Sequence, residues 1–186
     1  MHSFTTERLL ISPINEQDKE LYISLYTDEN IMRYIDTPLS KEAAESAFSR
    51  TIKAIQKQKP SVITWTIVTL EDNKCIGIQA LNWQRSQLNY SKKANIPEIG
   101  IMLLPQAHKR LLAEEALGAL VEHAFNHFSL NQINACFEKE NIAMVRVAQK
   151  TGFSTDRTQQ PIDPLQQVDS VYRESWHRQY IKTQLG

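Results

Sequence analysis

The chain has 186 residues, with 21 Lys and Arg against 21 Asp and Glu, and it is 41% hydrophobic and 23% charged. That length and composition suit one globular domain with a respectable core, and the balanced charge supplies no global field toward nucleic acid, anionic lipid or an acidic partner. No apolar run is long enough to span a bilayer, and Met1-His2-Ser3-Phe4-Thr5 lacks a charged start followed by an apolar core, so a cytoplasmic protein is expected. Cys75 and Cys136 fall in strand-like stretches without a C-x-x-C or Cys/His cluster, and read as reduced, buried small hydrophobes.

In chain order, residues 7–14 alternate loosely and end at Ser12-Pro13, which suggests a first strand with proline at its edge. Asn15 can cap the helix that follows, with Asp18 completing a capping box and Leu21, Tyr22, Leu25 and Tyr26 forming the apolar stripe. Ser40 repeats the signal for a helix to about Lys59, with Ala44, Ala47, Phe48, Ile52 and Ile55 inward. Pro60 ends it. Residues 61–70 are β-branched and aromatic, hence a strand, and after the turn at 71–74 a second strand, 75–83, returns as a hairpin. Residues 84–94 lack periodicity and read as a wide connection or a ragged strand extension.

The stretch from Pro97 to Phe153 carries the strongest pattern. The strand EIGIMLL ends at Pro105, which cannot continue a ladder. A helix begins near Leu111 or Leu112, with Ala113, Leu117, Leu120, Ala124 and Phe128 on one face. Between them lies Gln106-Ala107-His108-Lys109-Arg110. A helix N-terminus presents unpaired N–H groups and the positive end of a macrodipole, and with two cations beside it the place suits a phosphate or pyrophosphate. A strand at 133–138 follows, then a helix at 141–150 closed by Gly152 as a left-handed cap. The polar residues 155–167 read as a loop able to reach over a cleft, and residues 168–180 as the last strand. The pattern predicts a single α+β domain over residues 1–186, with a mixed, mostly antiparallel sheet flanked by helices. His123 and His127 stand one helical turn apart but lack a third ligand, so they read as a surface feature and no metal is expected.

Several of these residues carry a resemblance. Glu98-Ile99-Gly100, the strand ending at Pro105, the basic loop, Ala113-Glu114-Glu115-Ala116, Glu138 and Asn141, and Gly152-Phe153 together resemble the acetyl-CoA-dependent N-acyltransferases of the GNAT superfamily. They are most similar to the branch containing the ribosomal-protein N-terminal acetyltransferases. Thr6-Glu7-Arg8-Leu9 resembles the opening strand of that branch, and Asp169 to Trp176 its closing strand. The resemblance implies the three-layer GNAT fold, in which two central strands splay apart and the first helical pair lines the acceptor cleft. It also implies acetyl-CoA as co-substrate and a primary amine as acceptor, either a protein N-terminal α-amine or a small molecule. No direct nucleic-acid or membrane partner is implied, and the protein is expected as monomer or homodimer.

The family's loop pattern, Gln/Arg-x-x-Gly-x-Gly/Ala, falls on His108, Lys109, Arg110, Leu111, Leu112 and Ala113. Only Ala113 fits. Leu111 stands where glycine is usual, and Lys109 where this branch often has another; helical backbone angles at Leu111 would keep the N–H donors in place without glycine. By the same alignment, backbone groups of Ile101, Met102 and Leu103 would bind the pantetheine arm in the manner of an added strand. Asn141 corresponds to a residue that hydrogen-bonds that arm, and it is equally a good helix N-cap.

Acetyl transfer to an amine needs a deprotonated amine, an oxyanion donor and a proton for the leaving thiolate. Glu98, opening the central strand, is the candidate base, directly or through water; the alternative is a rim carboxylate in a strand-end salt bridge. Where the branch often has a serine, Met144 cannot donate a proton, so Tyr172 is the candidate acid, with packing as the alternative. Glu115 matches the family's early helical acid, a position the helix dipole also favours. Met32, Tyr34 and Ile35 are candidates for substrate contact or for simple packing. Two functions follow: an N-acetyltransferase acting in a ternary complex, or a non-catalytic GNAT-fold binding or regulatory module with an eroded cofactor loop.

Overall fold

Strand alternation and two helical layers account for the architecture of the computed structural model, which describes residues 2–83, 96–108, 110–155, 161 and 163–185. The elements are β1 (Ser3–Thr5), β2 (Leu9–Pro13), α1 (Lys19–Thr27), α2 (Glu29–Met32), α3 (Lys41–Ile55), β3 (Val62–Thr69) and β4 (Cys75–Asn82), followed by β5 (Glu98–Leu103), α4 (Leu112–His127), β6 (Gln132–Glu138), α5 (Ile142–Lys150), β7 (Ser154–Thr155), β8 (Gln166–Tyr172) and β9 (Thr183–Leu185). The strands form one sheet in the order β7-β8-β6-β5-β4-β3-β2-β1-β9, in which β5 and β6 run parallel and the other pairs antiparallel.

Alternation divides the apolar residues between two cores. Ile63, Trp65 and Ile67 of β3, Leu81 of β4 and Ile99 and Leu103 of β5 join Leu117, Leu120 and Ala124 of α4 on one face. Ile78 and Met102 turn the other way and join Tyr22, Leu25, Met32, Phe48 and Ile52 from α1, α2 and α3. Each large aliphatic side chain so buried contributes about 1.5–3 kcal/mol. Met32 is thus a packing residue, 2% exposed.

The helical starts follow their caps: Asn15 forms the full capping box with Asp18 over the 3-10 turn Glu16–Asp18, and Ser40 accepts from the N–H of Ala43. Two strand ends differ from the sequence expectation. Residues 6–8 form a turn between β1 and β2 rather than part of a strand, because the Thr6 hydroxyl accepts from Leu9 N at 3.0 Å and folds the chain back. The closing strand stops at Tyr172, a 3-10 turn follows at Arg173–Ser175, and Trp176 lies beyond the ladder. Residues 84–94, and residues 156–160 and 162 of the expected loop 155–167, lie outside the described residues; Thr155 ends β7, and Gln166 and Gln167 open β8 rather than belonging to a loop.

This departure explains why α4 is buried on more than one stripe. The segment after Tyr172 crosses the outer side of α4 on its way to β9: the Tyr180 ring lies where a side chain at Gly118 would be, Trp176 packs 6.1 Å from Phe125, and Glu122 Oε2 accepts from the N–H groups of Tyr180 and Ile181. The cysteines differ from expectation as well. Cys75 is exposed where β4 leaves its turn, and half-buried Cys136 directs its thiol to Gln166 Oε1 at 3.4 Å.

His123 is not on the surface. Its ring is 1% exposed, stacked 4.5 Å from Phe4 and 4.3 Å from His127, with Trp65 edge-on at 5.9 Å. Burial, with the nearby His127, lowers its pKa from 6.5 to about 3. The unfolded chain therefore binds a proton that the folded chain refuses between those values. Stability is full above about pH 6.5 and falls as the pH drops toward 3, by at most about 1.4 kcal/mol per pH unit. Thermal melts between pH 7 and pH 4.5 should show a steeper loss for the native chain than for His123→Phe; equal slopes would contradict the buried neutral ring.

Candidate active site

The site begins where two strands part. β5 and β6 share one register pair, Glu98 opposite Asn134, tied by the bond from Asn134 N–H to the Pro97 carbonyl at 3.0 Å. Toward their C-terminal ends the strands separate, and those ends lead to the starts of α4 and α5. On the other edge of β5, Leu104 N–H donates to Ile76 O of the neighbouring strand β4 at 2.8 Å. With one edge set by Pro97 and the other by Leu104, alternation turns the backbone groups of Ile101 and Leu103 toward the gap and those of Met102 toward β4. The Met102 carbonyl indeed lies so close to Gly77 that any side chain there would collide with it. Of the three residues expected on the gap, Met102 therefore faces β4 instead, with its side chain in the second core.

The loop that follows is a 3-10 turn, Pro105–Ala107, after which His108 directs Nε2 to the Leu103 carbonyl at 3.3 Å. Lys109 lies outside the described residues. Arg110 forms an exposed ion pair with Glu71 in the β3–β4 turn, Nη2 to Oε2 at 2.9 Å. Leu111 is the N-cap of α4 and takes φ 60°, ψ 16°, the left-handed region, with 57% of its surface exposed. The expectation of helical angles there does not hold. The chain adopts at Leu111 the conformation for which glycine is usual, and accepts the strain of a Cβ. Leu112 is buried and Ala113 half-buried at the top of the main core.

Behind the loop lies a polar clamp. Arg8 donates from Nε to Glu115 Oε2 at 2.6 Å, from its backbone N–H to Oε1 at 2.9 Å, and from Nη1 to the Arg110 carbonyl at 2.9 Å. The Thr6 hydroxyl also donates to Glu115. The motif Thr6-Glu7-Arg8-Leu9 is thus a turn whose side chains hold the first turn of α4.

At the base of the gap Glu98 is 7% exposed, so it is no rim carboxylate. It shares a sheet face with its register partners Asn82 and Asn134. Asn134, wholly buried, accepts at Oδ1 from Gln132 Nε2 at 2.8 Å and from Ser170 Oγ at 2.9 Å. Half-buried Tyr172 ends β8 opposite Gln132 on the same face. Buried Asp169 pairs with Ala135 and so faces the other side, where burial raises its carboxyl above the ordinary range. Asn141 acts as the N-cap of α5, its Oδ1 accepting from Met144 N–H at 3.1 Å. Among the described residues no three His, Cys, Asp or Glu side chains gather as for a metal ion, and no helix is long and apolar enough to cross a membrane.

Sequence reasoning missed Asn134, Ser170 and the Arg8–Glu115 clamp. The signal for Asn134 was a polar residue inside the apolar run INACF of β6, whereas Ser170 carried none, because QQVDSVY is polar over most of its length.

The mixed sheet thus opens between two parallel strands, with the starts of α4 and α5 following their ends. The chain belongs to the GNAT acetyltransferase family: residues 8–154 match the domain described as Acetyltransferase (GNAT) domain. An uncharacterized N-acetyltransferase, YnaD of Bacillus subtilis (strain 168), is 31% identical over 153 residues, which cover 82% of this chain and 82% of that protein. Two solved structures share the fold. Spermidine N-acetyltransferase from Vibrio cholerae, in complex with CoA and spermine, has TM-score 0.69 at 17% identity over 89% of this chain and 96% of its own. Ribosomal-protein-S5-alanine acetyltransferase from Vibrio fischeri has TM-score 0.71 at 13% identity, over 95% and 99%. The ribosomal-protein branch is accordingly one of several to which the fold is similar.

The left-handed region costs a leucine about 1–2 kcal/mol. Glycine would return about half of that to the entropy of the unfolded chain. Leu111→Gly should therefore stabilise the protein by about 0.5–1 kcal/mol, raising the melting temperature by about 1–4 °C. A lower melting temperature would contradict the left-handed N-cap.

Proposed function

We propose that this chain transfers acetyl from acetyl-CoA to a primary amine by direct attack in a ternary complex, the acceptor being a protein N-terminal α-amine or a small-molecule amine. The observation that supports the reading most is the splayed pair β5 and β6, with a buried carboxylate, Glu98, at the base of the gap and the starts of α4 and α5 at its mouth. In this reading the backbone groups of Ile101 and Leu103 take the pantetheine arm as an added strand. The N–H groups of Leu111, Leu112 and Ala113 face the pyrophosphate, helped by the helix dipole. His108, Lys109 and Arg110 lie along the phosphates, and Asn141 stands beside the arm while capping α5.

The amine nitrogen, relieved of its proton by Glu98 directly or through water, attacks the thioester carbonyl. The tetrahedral intermediate then breaks the C–S bond; the leaving thiolate takes a proton from Tyr172, and the excess proton on the attacking nitrogen passes, directly or through water, to the phenolate, giving the amide, the free thiol and the restored tyrosine. Glu98 suits the task by its place: it is buried at the base of the gap, opposite Asn134, where the two strands part. Met144 leaves the acid to Tyr172 or to water.

Turnover of acetyl-CoA against a panel of protein N-terminal peptides, polyamines and aminoglycosides tests the reading. Glu98→Gln should lower kcat/KM by about a hundredfold, with the larger loss at the low end of the pH range. Tyr172→Phe should lower kcat while leaving CoA affinity within about twofold of the native value. An unchanged pH–rate profile in Glu98→Gln removes Glu98 from the mechanism. Tight CoA binding without turnover on any amine would instead favour the non-catalytic module.

A further inference from the structure

We propose that Arg8 is a positioning residue for the cofactor: it holds the Arg110–Leu111 peptide so that the Leu111 N–H faces the pyrophosphate, and so lets a leucine stand where glycine is usual. The inference rests on the cofactor reading given above. Its observations are the Arg8 Nη1 bond to the Arg110 carbonyl, the bonds from Arg8 Nε and Nη2 to Glu115, and the left-handed Leu111.

The carbonyl and the N–H of one planar trans peptide point in opposite directions. The Arg110 carbonyl points to Arg8, so the N–H of Leu111 in the same peptide points away from the clamp. Releasing the carbonyl would let that peptide flip, which carries Leu111 back to negative φ and turns the N–H away from the ligand.

The clamp is itself anchored. The Glu115 side chain is only 11% exposed and lies in the first turn of α4, one turn beyond Leu111, whose carbonyl accepts from the Glu115 N–H at 3.3 Å. Arg8 sits in the turn between β1 and β2 and also binds Glu115 through its backbone N–H. One guanidinium thus joins the β1–β2 turn, the helix and the loop. Lysine could keep a charge beside Glu115, but it lacks the planar fork that reaches both the carboxylate and the carbonyl at once.

Isothermal titration with CoA on four proteins tests this: the native chain, Arg8→Lys, Leu111→Gly and the double variant, each first shown by thermal melting to be folded. Without the clamp a leucine enters the left-handed region about one time in ten, so Arg8→Lys should weaken CoA about tenfold; glycine enters it about half the time, so the same change in the Leu111→Gly background should cost only about twofold. A merely structural role for Arg8 would give equal losses in both backgrounds, and that result overturns the proposal, as does undiminished affinity in Arg8→Lys. If the native chain does not bind CoA at all, the cofactor reading fails, and this proposal with it.

Discussion

The structure depends on one pairing that is made once and then given up. β5 and β6 meet at Glu98 and Asn134 and separate beyond them. A sheet normally avoids such a break, because a buried backbone group without a partner costs about 1–3 kcal/mol. Here the cores on the two faces hold the strands apart: α4 and α5 pack on one face, α1 and α3 on the other. The inner edges of the gap then hold backbone groups suited to pairing with an extended arm. The fold thereby makes an edge strand in the middle of a sheet, where a cofactor can complete the ladder without any strand being added at the outside.

Everything above the gap is held from outside it. The first turn of α4 is fixed by Arg8 and Thr6 through Glu115, and its outer side is covered by the segment that carries Trp176 and Tyr180 to β9. These contacts leave the mouth itself lightly built: an exposed left-handed Leu111, an exposed His108, and an Arg110 paired with Glu71 at the surface. Such an exposed pair contributes about 0–1 kcal/mol, so Arg110 can leave Glu71 at little cost. The clamp and the core hold the backbone, and the side chains at the rim are left to respond to the ligand.

Much of this was legible in the sequence, for reasons that differ from residue to residue. Asn15 and Ser40 marked helix starts because capping is local chemistry, and the β3–β4 hairpin was legible because its residues are β-branched around a polar turn. What escaped was non-local. The strip of α4 under Trp176 and Tyr180 depends on a segment far along the chain, with Tyr180 bound to Glu122 across 58 residues, so the periodicity of α4 showed one face and not the second. His123 looked like a surface histidine because its partners, Phe4 and Trp65, come from distant strands. In the site, the carboxylate at the strand start was legible, but its burial was not, since that follows from the register with Asn82 and Asn134. Met102 was placed on the gap from the alignment of a loop, and a shift of one residue along a strand turns a backbone group to the other edge. Leu111 was the most instructive: the missing glycine was visible, whereas the left-handed angle and the clamp that sustains it required the fold.

The central claim is that a leucine here performs the backbone role of a glycine and presents its N–H to a pyrophosphate at the start of α4. A crystal structure of the protein with CoA measures this most directly. The account predicts the pyrophosphate within hydrogen-bond distance of the N–H groups of Leu111, Leu112 and Ala113, Leu111 at positive φ, and the pantetheine arm paired with Ile101 and Leu103. Leu111 at negative φ, or CoA bound away from the gap between β5 and β6, would contradict it.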